Sequence, residues 1–270
     1  MGQIRRIRES DLAQVYELSA VAGWNQTKAD WKRFLTLDAD GCFCMEEDGR
    51  VVSTTTAMRY GPDLAWIGMV LTLPEYRGRG LAKRLMTHTL EWLDSVRVSR
   101  VMLDATEMGQ PLYEKLGFVP DYPVERWLRR ATDQVPSGAA IQPFTVKDWK
   151  KVDREAFGAD RSGLLDLLGG SGLAIAGHGF ALGRPGRIAT YFGPSIADDV
   201  DIARSLLTSF LSTAKNEAVM WDLLPANSQL LRLARAFGFD PMRYMVRMRR
   251  GGEYTPPSPG IVALAGLEYG

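Results

Sequence analysis

The sequence is poor in metal-ligating side chains, with two cysteines and two histidines among 270 residues. Cys42 and Cys44 lie two apart, and no second Cys/His pair is present to complete a zinc site, so we expect buried thiols without a metal or redox role. The N-terminal stretch lacks the apolar segment of a signal peptide. No apolar run approaches the roughly 18 residues that a membrane helix needs. These absences predict a soluble, cytoplasmic protein.

Net charge is also nearly absent. The chain has 33 basic and 32 acidic residues, a formal charge of +1, so no global field attracts nucleic acid or an anionic membrane, and neither is an expected partner. Any anion site must therefore be local. A hydrophobic content of 46% over this length is enough for packed cores in two domains of ordinary size.

An internal repeat supports two domains. The segment that starts at Ile4 resembles the one that starts at Ile141, and Gly117-Phe118 matches Gly238-Phe239. The copies are separated by ATDQVPSGAA, residues 131–140, which has the composition of a linker. We therefore predict domains at residues 1–131 and 138–270.

The order of elements in the first copy predicts an α+β fold, in which helices flank a mixed, mostly antiparallel sheet, and the second copy repeats that order with fewer residues. Ser10 or Asp11 is the expected cap of the first helix and Thr27 that of the second. The predicted helices are 10–22, 27–36, 80–94 and 109–116, and the predicted strands are 42–47, 50–60, 64–72, 100–104 and 124–130.

The stretch VLTLPEYRGRGLAKRLM, residues 70–86, combines glycines and arginines at the expected start of a helix. Pro74 ends the preceding strand, and Gly78 and Gly80 allow several backbone N–H groups to point the same way. Positive side chains surround these amides, and an apolar helical face follows. This pattern predicts a phosphate or pyrophosphate site, with a basic surface loop as the alternative. The cations are Arg77, Arg79, Lys83 and Arg84, and the apolar face comprises Leu81, Leu85, Met86, Leu90 and Leu93.

Two motifs in this region resemble those of one family. Arg77, Gly80 and Ala82 match the pyrophosphate motif Q/R-x-x-G-x-G/A of the GNAT superfamily of acyl-CoA-dependent N-acyltransferases, and PLYEKLGF at 111–118 is similar to the family's LYEKxGF helix. The resemblance covers residues 1–130, and the stretches GWN and LAWIGMVL are similar to a bacterial tandem-GNAT subgroup of the YitH type. It implies tandem GNAT folds.

The resemblance also implies acetyl-CoA as co-substrate, with no metal. The strand before the glycine loop is expected to bind the thioester and pantetheine, and the loop itself to bind the pyrophosphate. Thr106 stands where the family commonly has asparagine, and its hydroxyl could replace the usual contact. The implied cofactor-binding residues are Val70, Leu71, Thr72, Arg77, Gly78, Arg79, Gly80, Leu81, Ala82, Lys83 and Thr106.

Acetyl transfer to an amine needs a proton acceptor and a proton donor. At pH 7, deprotonating a lysine-like amine costs about 4.6 kcal/mol, so a base or a water relay must help. Asp104, Glu107 and Glu46 are the carboxylates near the expected site, although for each of them a solvated or capping role is favoured over that of the base. By resemblance, Tyr113 protonates or hydrogen-bonds the leaving sulfur, and helix packing is the alternative for its ring.

The acceptor site is inferred from position alone. Trp24 and Asn25 lie between the first two helices, which in this fold border the acceptor, and Tyr60 ends a strand near it. Ordinary packing or capping is the alternative for all three. His88 and His178 are expected to be structural.

The second copy departs from both motifs. Asp198, Asp199 and Asp201 replace the arginines of the glycine loop, and Leu233 or Ala234 takes the place of the tyrosine. Carboxylates there would repel a pyrophosphate, so we predict that the first copy does the chemistry while the second supplies an interface and part of the acceptor pocket. The expected function is N-acetylation of a small amine, amino acid or peptide, with a non-catalytic CoA-binding sensor as the alternative.

Overall fold

The computed structural model describes residues 2–134, 149–169, 173–175 and 178–270, which form one continuous mixed sheet with helices on its faces. The elements of the first half are β1 (Gln3–Arg6), α1 (Leu12–Val21), α2 (Lys28–Asp38), β2 (Cys42–Glu47), β3 (Arg50–Tyr60), β4 (Leu64–Thr72), α3 (Leu81–Ser95), β5 (Arg100–Thr106), α4 (Gln110–Glu114) and β6 (Val119–Arg129). Those of the second half are α5 (Trp149–Phe157), α6 (Ser162–Leu168), β7 (Leu173–Ile175), β8 (Gly179–Arg184), β9 (Thr190–Ala197), α7 (Val200–Thr213), β10 (Val219–Leu223), α8 (Ser228–Ala236), β11 (Phe239–Arg250) and β12 (Ile261–Ala263).

The α+β fold and the bounds of β2, β3 and β4 are confirmed. Thr27 caps α2 through a reciprocal pair of bonds with Asp30, as expected. The expected side-chain cap of α1 is wrong. Asp11 is the residue before the helix, but its carboxylate does not bond the helix amides. It accepts a hydrogen bond from the N–H of Arg8 and pairs with Arg5 at 2.6 Å. Strand β6 begins five residues earlier than predicted, and β1 was not predicted. Most of the linker and the Ile141 match lie outside the described residues.

The two halves exchange their long C-terminal strands. The sheet runs in the order β1-β2-β3-β4-β5-β11-β6-β10-β9-β8-β7, with β12 alongside β9. Strand β11 of the second half therefore pairs with β5 of the first, while β6 of the first half pairs with β10 of the second. Each half thus completes the sheet of the other.

Opposite faces of the sheet carry different helices. Neighbouring strand residues point to opposite faces, and on β4 Ile67 packs into the cluster with Met86 of α3, whereas Trp66 packs into the cluster with Phe34 of α2. Cys42 and Cys44 are buried free thiols, as expected, and burial raises the pKa of Cys44 to about 12. Within the described ranges, no helix is long and apolar enough to cross a membrane.

Buried ion pairs join the two halves. Arg126 on β6 donates two hydrogen bonds to Asp222 on β10, and Arg247 on β11 does the same to Asp104 on β5. Because these pairs are bidentate and buried, they fix the register of the exchanged strands with directional bonds.

Candidate functional site

A gap opens between the parallel strands β4 and β5. They pair only from Leu64 with Arg100 to Trp66 with Met102, although β4 continues to Thr72 and β5 to Thr106. A bulge accompanies the separation, because Met69 has a positive φ of 50° and the register with β3 shifts nearby. The β5-facing edge of Val70, Leu71 and Thr72 therefore has no partner strand among the described residues, and its backbone groups can bind an extended ligand.

The glycine loop leads from this gap into α3. Gly78 and Gly80 have φ values of 75° and 74°, a conformation that side chains rarely adopt, and a Cβ at either position would meet nothing within 4 Å. Gly80 is the N-cap of α3, and no side chain of the described residues caps this helix. The amides of the first turn, at Leu81, Ala82 and Lys83, are therefore available to an anion.

The cations around the loop are largely free of carboxylates. Arg79 pairs with Glu47 at 2.8 Å, whereas Arg77 and Arg84 donate, among the described residues, only to the backbone carbonyls of Thr72 and Gly2. Lys83 has no ion-pair partner in the described part of the chain. Positive charge at this helix start is thus mostly uncompensated, as an anion site requires.

The corresponding helix start in the second half is closed. The carboxylate of Asp199, the N-cap of α7, accepts from the N–H groups of Asp201 and Ile202 at 2.9 Å each. Asp198 pairs with His178 at the surface, a partner that the sequence did not suggest. The amides that an anion would need are already bonded to a side chain, and the local charge is negative.

Tyr113 lies on α4, beyond the carboxyl end of β5, and is 8% exposed. Burial raises the pKa of its hydroxyl to about 12, and this hydroxyl makes no hydrogen bond to the described residues. The N–H of Gly109 donates to the Thr106 hydroxyl at 3.3 Å, which fixes the turn into α4. A Cβ on Gly109 would lie 3.0 Å from the Tyr113 ring, so this turn leaves little room for a side chain.

Of the three candidate bases, two are engaged by arginines. Asp104 is fully buried in its bidentate pair with Arg247, and Glu46 accepts from Arg5 at 2.6 Å. Glu107 is exposed and has no ion-pair partner among the described residues. The geometry therefore favours Glu107 or water over the other two.

The structure places the three substrate candidates against the second half. Asn25 is buried, donates to the carbonyl of Ala189 and accepts from the N–H groups of Ile188 and Ala189. The hydroxyl of Tyr60 donates to the carbonyl of Tyr269, and burial raises its pKa. The Trp24 ring is half-buried against the core. Contact of these residues with an acceptor stays a prediction.

The chain segment that lies behind the gap was not predicted from the sequence. The C-terminal segment crosses β4 at Gly68, where a Cβ would lie 3.0 Å from the Glu268 backbone, and Trp66 donates to the carbonyl of Leu267. His88 stacks edge-on against Phe43 at 4.8 Å, in keeping with a structural role. Gly68, a glycine within a strand, indicates that another backbone segment approaches closely, but it does not indicate which segment.

Comparisons with known proteins agree with this geometry. The model of the Acetyltransferase (GNAT) family matches residues 7–118, and a second acetyltransferase (GNAT) domain model matches 150–260, so together they span most of the chain. Holothin acyltransferase of Pseudoalteromonas sp. is 24% identical, with 95% of this chain and 90% of that protein covered. The uncharacterized N-acetyltransferase YitH of Bacillus subtilis is 26% identical, with 77% of each covered. A tandem GNAT protein from the clavulanic acid biosynthesis pathway superimposes with a TM-score of 0.71 at 14% identity, covering 95% of this chain and all of that one.

Proposed function

Because the chain belongs to the GNAT acetyltransferase family and contains two GNAT domains, we propose that it is a cytoplasmic N-acetyltransferase whose first half carries the reaction. It transfers an acetyl group from acetyl-CoA to a primary amine of a small molecule, an amino acid or a peptide. The second half holds the first in shape and borders the acceptor site.

The difference between the two helix starts carries the proposal. In the first half no described side chain caps the amides after Gly80, and three cations beside them have no carboxylate partner in the described ranges. In the second half Asp199 occupies the equivalent amides. Only the first helix start suits a diphosphate, because its partial positive charge is neither bonded nor neutralised.

The residues at the gap fit the extended shape of the co-substrate. The free edge of Val70–Thr72 would hold the pantetheine and thioester, the amides of Gly78–Lys83 would hold the pyrophosphate, and Arg77 would add charge. The Thr106 hydroxyl fixes the turn that brings α4 to the same end of the sheet. Acetyl-CoA supplies the acetyl group as an activated thioester.

Tyr113 is the proposed proton donor to the leaving sulfur. A buried phenol with a pKa of about 12 stays protonated throughout the physiological range, so its hydroxyl is always available to donate. The amine must lose its proton, for which Glu107 or a water chain is the available acceptor. Direct attack of the amine on the thioester then needs no covalent enzyme intermediate.

The acceptor site would lie where Trp24, Asn25 and Tyr60 meet the second half. Arg187 donates to the carbonyl of Trp24 at 2.9 Å, next to the bonds that hold Asn25. A contribution of the second half to acceptor specificity follows from this placement.

The proposal is tested with full-length protein and acetyl-CoA by following CoA release with a thiol reagent over a panel of amines. We expect turnover with at least one amine class and calorimetric binding of CoA without any amine. Binding without turnover across the panel would support the CoA-binding sensor instead. No heat of CoA association would refute both.

A further inference from the structure

A cavity of about 290 Å³ lies between the two halves, on the sheet face opposite α3. Its floor is formed by Trp66 on β4, Met102 on β5 and Arg247 on β11, and its other walls come from α5 and the loop 253–258. Both halves therefore build it, and the described residues leave a pocket large enough for a small organic molecule.

The walls of this interdomain cavity are partly aromatic. Phe157, Tyr122 and Trp66 all line it, but Trp66 is only 1% exposed, with the guanidinium of Arg247 stacked 4.4 Å from its ring. Phe157 and Tyr122, which are half-buried, are therefore the rings that a ligand can reach. Phe157 lies edge-on to Tyr60 at 5.4 Å, which fixes the orientation of its ring. Such walls favour a flat apolar group, which contacts rings with little loss of conformational freedom.

One cation of the cavity has no ion-pair partner among the described residues. Of its four arginines, Arg247 is paired with Asp104, Arg249 with Asp121 and Arg161 with Asp153. Arg100 has no carboxylate within 4.0 Å in the described ranges, and the neutral hydroxyl of Thr255 is its side-chain partner at 3.4 Å.

The position of Arg100 is fixed by packing. A Cβ on Gly252 would lie 3.1 to 3.2 Å from its side-chain carbons, so the loop closes directly over the arginine stem. A half-buried guanidinium held in this way beside aromatic rings is pre-organised for a carboxylate, which it can bind through two parallel hydrogen bonds. Three acidic side chains line the cavity: Glu155 and Glu253 are exposed, and Asp121 pairs with Arg249. Burial raises the pKa of Asp121, and Arg100 is close enough to oppose that rise, but none of the three forms an ion pair with Arg100.

The cavity is distinct from the proposed CoA site. It is lined by the start of each strand, Leu64 and Trp66 on β4 and Arg100 and Met102 on β5, and by no residue of the gap beyond them. At about 3.3 Å per residue, Arg100 is roughly 20 Å along β5 from Thr106, where the gap is open. A ligand in the cavity would leave the glycine loop free.

We propose that this interdomain cavity binds a small aromatic carboxylate, with the ring against Phe157 and Tyr122 and the carboxylate on Arg100. The ligand contacts both halves and binds together with CoA.

Isothermal titration of full-length protein with phenylacetate tests the proposal, with neutral phenylacetamide and with acetate as matched probes. We expect saturable binding of phenylacetate. Phenylacetamide, which lacks the charge, and acetate, which lacks the ring, should each bind at least about tenfold more weakly. Saturating CoA should leave the phenylacetate affinity unchanged within about twofold.

The variant Arg100→Gln should weaken phenylacetate at least about tenfold, while Arg100→Lys should retain part of the affinity. The control Arg204→Gln, exposed on α7 outside the cavity, should bind as the native chain does. Phe157→Leu provides a second test, because it should weaken phenylacetate without changing acetate. The proposal is wrong if phenylacetate does not bind at millimolar concentration, if Arg100→Gln binds normally, or if CoA displaces it. Failure of CoA binding alone would instead count against the proposed function.

Discussion

The guanidinium of Arg184, on β8 of the second half, lies 3.0 Å from the carboxylate of Asp30, on α2 of the first half. The same guanidinium donates to Glu268 at 2.6 Å and stacks on the Tyr191 ring at 3.8 Å. All these groups are buried. Strand β8, helix α2 and the C-terminal segment therefore meet at a cluster of charges that is shielded from solvent.

Replacement of Arg184 by alanine should therefore destabilise the whole chain. We expect a loss of about 3–5 kcal/mol in the free energy of unfolding, because the buried Glu268 would lose its ion-pair partner and the buried Asp30 would keep only Arg33. Denaturant-induced unfolding of the native and variant proteins measures this difference in the free energy of unfolding. The exposed pair of Arg50 with Glu75 provides the control, since Arg50→Ala should change stability by less than about 1 kcal/mol. Equal effects of the two substitutions would contradict a structural role for the buried cluster.

Gly80→Ala should weaken CoA binding. The added methyl group has room, but the left-handed backbone at 74° is unfavourable for alanine by about 1–2 kcal/mol, so the loop would relax and turn its amides away. Gly49→Ala is the matched control, because Gly49 has φ of 76° and open space in the turn between β2 and β3. Calorimetry should show weaker CoA binding only for Gly80→Ala, while both variants lose similar stability. Unchanged CoA affinity would argue against the glycine loop as the anion site.

Asp199→Ala should act on stability alone. Loss of the cap that bonds Asp201 and Ile202 should destabilise α7 by about 0.5–2 kcal/mol. CoA affinity and turnover should stay at the native level, because the second half is proposed not to bind the co-substrate. If calorimetry of the variant gave two CoA molecules per chain, the Asp199 cap alone would be what prevents CoA from binding at the start of α7.

Tyr113→Phe should lower kcat by about a hundredfold or more while leaving CoA affinity near the native value, because the ring stays and the proton donor is lost. Since burial raises the pKa of Tyr113 to about 12, the donating form persists well above pH 7, and kcat of the native enzyme should show no fall from this group between pH 7 and 10. Tyr244→Phe is the control, because Tyr244 is 65% exposed on β11. Native turnover in Tyr113→Phe at saturating acetyl-CoA would remove the tyrosine from the mechanism.

A fragment of residues 1–131 should not form a native monomer. Removal of the second half exposes the edge of β5 that pairs with β11 from Val101 to Thr106, and it leaves β6 without both of its neighbours. We expect aggregation or reduced sheet content by circular dichroism and size-exclusion chromatography. If the fragment were a folded monomer with native turnover, the second half would be needed neither for the fold of the first half nor for catalysis.

The sequence predicted the elements well where periodicity and turn residues act locally. Strands β2, β3 and β4 are bounded by a helix end, the Asp48-Gly49 turn and Pro74, so their limits agree with the structure. The four-residue strand β1 was missed because its edge position and two arginines produce no apolar alternation. The predicted cap of α2 is correct because the Thr27 hydroxyl bonds an amide of its own helix. The predicted cap of α1 is wrong because the Asp11 carboxylate pairs with Arg5 instead.

The relation between the halves could not be predicted from local patterns. Nothing in β11 itself encodes β5 as its partner, and the bonds from Asn25 to Ala189 and from Tyr60 to Tyr269 join residues more than 160 positions apart. Polar residues between helices and at strand ends are typical both of substrate sites and of interdomain contacts. Only the three-dimensional arrangement distinguishes these two uses.

The strand exchange has a consequence for how such a chain can evolve. A duplicated domain that sits beside its sibling can be lost once its own activity has decayed. Here the second copy, which is proposed not to bind the co-substrate, supplies the strand β11 between β5 and β6 of the first copy, so its deletion would leave both strands without that neighbour. On this proposal, selection preserves the strands of the second copy even where it does not preserve a catalytic site.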